Sequence, residues 1–237
     1  MIVFSMDGFM RRMVIALSGA MFAVSPLAAA VVETLDFRAG ERAMGDWRSA
    51  WVLESAAAGV DGAMRIESAP GNEDHALILD DVHDSRAAGG GDADGTPVIS
   101  HAFTSLARGS LAFSAGTGGS QNQHASITVL SKGRELLLVK LVNNTSGLVV
   151  SATGEAAFSD DSWFNKVRDY EITWEPQPDG GRAVTVVFYP KDREPVVFGP
   201  LQFLAPGDPD QIRLQVGFGS AVGKSLRIGR ITLSSYK

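Results

Sequence analysis

Residues Asp169 to Tyr189, DYEITWEPQPDGGRAVTVVFY, decide the fold. In the first arm Tyr170, Ile172 and Trp174 alternate with Asp169, Glu171, Thr173 and Glu175, the two-residue period of a strand with one buried and one solvated face. Val184, Val186 and Phe188 repeat the pattern in the second arm. Between the arms lies Pro-Gln-Pro-Asp-Gly-Gly, in which proline ends a ladder and Asp-Gly accepts positive φ, so the spacing predicts an antiparallel hairpin.

The rest of the chain repeats this device. Leu111 and Phe113, then Ala125, Ile127 and Val129, then Ile212, Leu214, Val216 and Phe218 each alternate with small or polar residues. Leu136 to Val142 is apolar on both faces except for Lys140, which predicts a central strand. In the last run Leu226 and Ile228 are even-numbered while Ile231 and Leu233 are odd-numbered, so one extra residue must be absorbed, with Gly229 as the bulge. No long run has apolar residues at helical spacing. The expected fold class is all-β, a two-sheet antiparallel β-sandwich or jelly roll.

The chain has 237 residues, of which 45% are hydrophobic, enough for one large core. Arg11 and Arg12 precede the apolar run MVIALSGAMFAVSPL, and Ala28-Ala29-Ala30 supplies small residues for a cleavage site. Residues 1–30 are expected to be a signal peptide and residues 31–237 a single domain, periplasmic or secreted, with no membrane insertion after processing. Without the leader, 19 basic residues face 26 acidic ones. That balance and the lack of a Lys/Arg cluster argue against nucleic acid as a partner. The chain has no cysteine, so disulfides contribute nothing to its stability.

The order of these patterns resembles the concanavalin A-like lectin/glucanase superfamily in its laminin G-like jelly-roll form. The resemblance rests on Leu35-Asp36-Phe37, on Trp47 followed by Asp61-Gly62-Ala63-Met64-Arg65-Ile66, on Tyr170 to Trp174, and on Leu226 to Leu233. It implies that the first and last strands lie side by side, with Leu35 beside Ile231.

Glycosidases of that superfamily carry closely spaced carboxylates on one strand, and no Glu-x-Asp-x-Glu run occurs here; Glu171 and Glu175 belong to the solvated face of the hairpin. Jelly-roll polysaccharide lyases use Tyr, His, Arg and Gln; Gln123-His124, Arg134 and Tyr189-Pro190-Lys191 match that pattern only in part. Asp92-Ala93-Asp94-Gly95, in the acidic segment from Asp80 to Pro97, resembles the start of a calcium loop, which makes Asp92 and Asp94 candidate ligands. No other cofactor is implied. The remaining candidate surface is a polar sheet face: His124, Ser126 and Thr128 from one strand, Arg213 and Gln215 from another, and an aromatic such as Tyr189 or Trp163. The expected function is non-catalytic binding of a polysaccharide or other glycan. A polysaccharide lyase or glycosidase, and a structural or protein-interaction module of the envelope, stand as alternatives, and whether the chain is an enzyme is left open.

Overall fold

The computed structural model describes residues 29–40, 46–54, 64–68, 75–80, 97–117, 124–142, 146–159, 167–216 and 225–236. The deciding hairpin forms as the alternation predicts: β11 (Arg168–Pro176) pairs antiparallel with β12 (Arg182–Tyr189), with Ile172 opposite Val186 and Trp174 opposite Val184. Its turn is closed by Gln177 N–H donating to the Gly181 carbonyl (2.9 Å) and Gly180 N–H donating to the Gln177 carbonyl (3.0 Å). Gly180 sits at φ 85°, the positive φ for which Asp-Gly was chosen. Trp174 is fully buried, and its indole N–H donates to the Leu106 carbonyl at 2.8 Å, so the largest side chain of the hairpin leaves no polar atom unpaired.

The described strands make two antiparallel sheets. In the first, β13 (Val196–Gln202), β12, β11, β6 (Gly109–Thr117), β15 (Ser225–Tyr236), β4 (His75–Asp80) and β3 (Met64–Ser68) follow in that order, and β1 (Ala29–Asp36) also pairs with β15. The second sheet runs β10 (Gly154–Ser159), β9 (Ser146–Ser151), β8 (Arg134–Val142), β7 (His124–Ser131), β14 (Gln211–Val216), β5 (Val98–Ala102) and β2 (Val52–Leu53). First and last strands do lie side by side, with Leu35 opposite Ile231. The ladder between β15 and β6 shifts register between Ile228 and Arg230, which places the bulge at Gly229. A Cβ there would come within 2.9 Å of Ser114 Oγ, so the residue that takes up the phase break also permits a close approach.

The core lies between the sheets. Leu111, Phe113, Tyr170, Ile172, Trp174 and Phe188 from the first sheet meet Ile127, Val129, Val139, Leu141, Ile212 and Leu214 from the second. Phe158, on the edge strand β10, reaches across to Phe188 (centroids 4.8 Å apart) and Tyr170 (5.9 Å), closing one side of the sandwich with aromatic contacts. On the other side His101 of β5 joins the sheets: its Nδ1 lies 2.7 Å from the Ala50 carbonyl and its Nε2 2.9 Å from Glu33 Oε1 on β1.

Among the described residues no helix is long and apolar enough to cross a membrane. The expected leader, up to Ala28, and the acidic segment 81–96 lie outside the described residues.

Candidate functional site

Apart from His101, the inward residues of the central strands of the second sheet, such as Ile99, Ile127, Val139 and Leu214, are apolar, so the alternate residues form its outer face. Because the strands are in register, those residues make two rows that cross the sheet. One row is Leu148, Lys140, Ser126, Gln215 and Val98; the other is Val150, Leu138, Thr128, Arg213, Ser100 and Val52. Each polar group therefore has an aliphatic neighbour a strand or two away. This mixture can meet both the hydroxyls and the C–H faces of a saccharide.

Four of the residues singled out from sequence are brought together here: Ser126 stands directly opposite Gln215, and Thr128 directly opposite Arg213. Their accessibility differs from the solvated row that alternation implies. Ser126 is 4% exposed and Thr128 3%, although both point away from the core. Their short side chains lie between Lys140 and Leu138 on one flanking strand and Gln215 and Arg213 on the other. The groups that reach the surface are the long ones, Lys140, Arg213 and Gln215, each partly buried. Lys140 is the member that sequence reasoning missed. It looks like a lone charge in an apolar run, and only the pairing of β8 with β7 places it beside Ser126.

Arg213 is held in place by two carboxylates. Its Nε donates to Glu54 Oε2 at 2.7 Å and its Nη1 to Glu135 Oε1 at 3.5 Å. Beside it Glu54, Val98 and Gln215 complete an open hollow of about 270 Å³. With Arg213 between them, Glu54 and Glu135 are acceptors in a charge network.

The remaining candidates are scattered. Tyr189 belongs to β12 of the other sheet and points outward there, where its hydroxyl donates to Glu171 Oε2 at 3.3 Å. Burial, and next the neighbouring Glu171 carboxylate, raise its pKa above the ordinary phenol value, so at neutral pH it stays a donor. Tyr189 and the row of Ser126 to Gln215 thus lie on opposite outer faces of the sandwich. His124 begins β7 with its backbone opposite Val142, whereas Arg134 begins β8 opposite Ser131, at the other end of the same strand pair. Those two are roughly 23 Å apart along the strand at ~3.3 Å per residue. The Tyr, His and Arg that a lyase would need are therefore not gathered by the backbone. Gln123, Trp163, Asp92 and Asp94 lie outside the described residues, and no group of three or more metal-ligating side chains occurs among the described residues.

No family model matches the chain, and neither does any curated protein sequence. Solved structures do. The laminarinase from Rhodothermus marinus superposes with a TM-score of 0.57 at 11% identity, over 89% of this chain and 98% of that one. SCLam, a non-specific endo-beta-1,3(4)-glucanase from family GH16, gives 0.55 at 9% identity, over 90% and 93%. A sialidase gives 0.55 at 14% identity; the match covers 88% of this chain but only 18% of the sialidase. At these identities the likeness is one of backbone architecture: the two sheets are a concanavalin A-like jelly roll.

Proposed function

We propose that this chain is an exported, non-catalytic carbohydrate-binding domain whose ligand lies on the outer face of the seven-stranded sheet, across Lys140, Gln215 and Arg213. The observation that carries the reading is the pair of cross-sheet rows. They set long hydrogen-bonding side chains among Leu138, Leu148, Val150 and Val98 on a face whose short residues are already buried. The similar solved structures include a laminarinase and an endo-beta-1,3(4)-glucanase, which makes β-linked glucans the first ligands to try. Glu54 and Glu135, the carboxylates around Arg213, are both engaged by its guanidinium, and this supports binding over hydrolysis.

Affinity electrophoresis in gels cast with laminarin or mixed-linkage β-glucan tests the proposal. The wild-type protein is expected to be retarded and Gln215→Ala to run close to its free mobility. Arg213→Ala should also lose retention, with a stability cost of about 1 kcal/mol from the broken ion pairs. His124→Ala, at the start of the neighbouring strand β7, is expected to weaken retention. Release of reducing sugar from either glucan would overturn the non-catalytic part. Unretarded wild-type protein on every glycan tried, together with co-purification of an envelope protein, would favour an interaction module.

A further inference from the structure

A second cavity lies at the end of the sandwich, away from the sheet face. It is a half-open hollow of about 560 Å³, within the usual size of small-ligand sites, and its lining includes Ser105, Lys132, Arg134, Arg182, Gly207 and Asp208. Four connections meet there: the segment after β5, the β7–β8 turn, the start of β12, and the loop from β13 to β14.

The charges in this cavity divide into a fixed pair and two others. Arg182 is a strut: its Nε (3.0 Å) and Nη2 both donate to Asp208 Oδ1, and its Nη1 donates to the Gly181 carbonyl at 3.0 Å. Asp208 is neutralised by that contact. Another carboxylate, Asp210, accepts the Lys132 backbone N–H through both oxygens, at 3.0 and 3.1 Å. Among the described residues no carboxylate forms an ion pair with the side chain of Lys132 or of Arg134.

Lys132 also sits where lysine is costly. It takes φ 49° and Gly133 takes φ 76°, so Lys132-Gly133 forms the two-residue turn with positive φ at both positions, for which Asn, Asp or Gly is the usual first residue. A non-glycine residue in the left-handed region costs of order 1 kcal/mol, and strain of this kind accumulates at functional positions. The loop wall is shaped by Gly207, at φ 149°, where a Cβ would fall 2.5 Å from Ser131 Oγ. Two cations with no carboxylate partner among the described residues therefore line one cavity beside an exposed hydroxyl, Ser105, in a chain of net charge −6.

We infer that this cavity binds the carboxylate or sulfate group of an acidic saccharide, with Lys132 and Arg134 as the charge partners, Ser105 as a hydroxyl contact, and the Arg182–Asp208 pair as the rigid back wall. The site is separate from the outer sheet face; its pairing with an anionic group stands on the cavity alone, while the choice of a saccharide as the carrier rests on the carbohydrate-binding reading.

Titration calorimetry with oligogalacturonate, sulfated dextran and neutral dextran tests it. Wild-type protein is expected to bind the first or second in a salt-sensitive manner and to show no heat with neutral dextran. Lys132→Asn removes the charge while giving the turn a residue that it prefers. It should weaken acidic-glycan binding about tenfold while leaving the melting temperature unchanged or higher. Arg134→Gln should weaken binding similarly, and Gln215→Ala on the sheet face should leave it unchanged. Equal affinity in Lys132→Asn and wild type, loss in Gln215→Ala, or no binding of either acidic glycan by the wild type would each overturn the assignment. Failure on the β-glucans with intact acidic-glycan binding would count against the sheet-face function alone.

Discussion

At the scale of single residues, charge and space act locally. Asp36 accepts from Arg38 Nε at 2.8 Å, Arg38 Nη2 at 2.5 Å and the Arg38 backbone N–H at 3.2 Å. The Arg38 guanidinium holds its carboxyl below the ordinary aspartate value. A lowered carboxylate pKa contributes stability that is present above the unfolded value and lost as pH falls through the folded one. Both side chains are more than a third exposed, so the effect is small. Asp36→Asn is therefore expected to melt slightly below wild type at pH 7, with the gap closing toward pH 2; a gap that widened on acidification would contradict the sign. His101 is a stronger test because it is buried and bonded on both ring nitrogens. His101→Ala should destabilise by about 2–4 kcal/mol in chemical denaturation, since it opens a cavity and leaves two acceptors facing it. What was legible at this scale was identity, not exposure: Ser126 and Thr128 have the alternation of solvated residues, and their burial depends on neighbours supplied by other strands.

Elements were more legible. The Asp169 to Tyr189 hairpin and the bulge at Gly229 follow from alternation, turn chemistry and phase, all of which are local in sequence. Trp174→Ala should cost about 3–5 kcal/mol, because it empties a fully buried site and strands the Leu106 carbonyl. Gly147 is a second check on packing: a Cβ there would meet Phe158 Cζ at 2.3 Å and the Lys140 carbonyl at 2.7 Å. Gly147→Ala is thus expected to lose about 1–3 kcal/mol by pushing Phe158 from its aromatic contacts, read as a lower denaturant midpoint. A neutral result would mean that β9 and β10 adjust freely. Neither constraint is visible in a single strand's pattern: one depends on a carbonyl in the segment before β6, the other on what the strands beside β9 carry.

For the whole molecule, the missing information was which sheet each strand joins. The likeness to concanavalin A-like proteins placed β1 beside β15, but the path from β12 through β13 to β14, which crosses between sheets, is set by long-range pairing. That crossing puts Tyr189 and Gln215 on opposite outer faces, although both follow the same alternation in sequence. Cleavage of a leader after Ala30 would leave Val31 to Asp36 to pair with β15, so the sandwich should survive processing. Circular dichroism of the chain from Val31 is expected to show predominantly strand. The central claim, a glycan on the seven-stranded sheet, is tested most directly by titrating laminari-oligosaccharides into wild type, Gln215→Ala and Tyr189→Ala. The account predicts weakened binding in Gln215→Ala and wild-type affinity in Tyr189→Ala; loss in Tyr189→Ala with Gln215→Ala unaffected would contradict it.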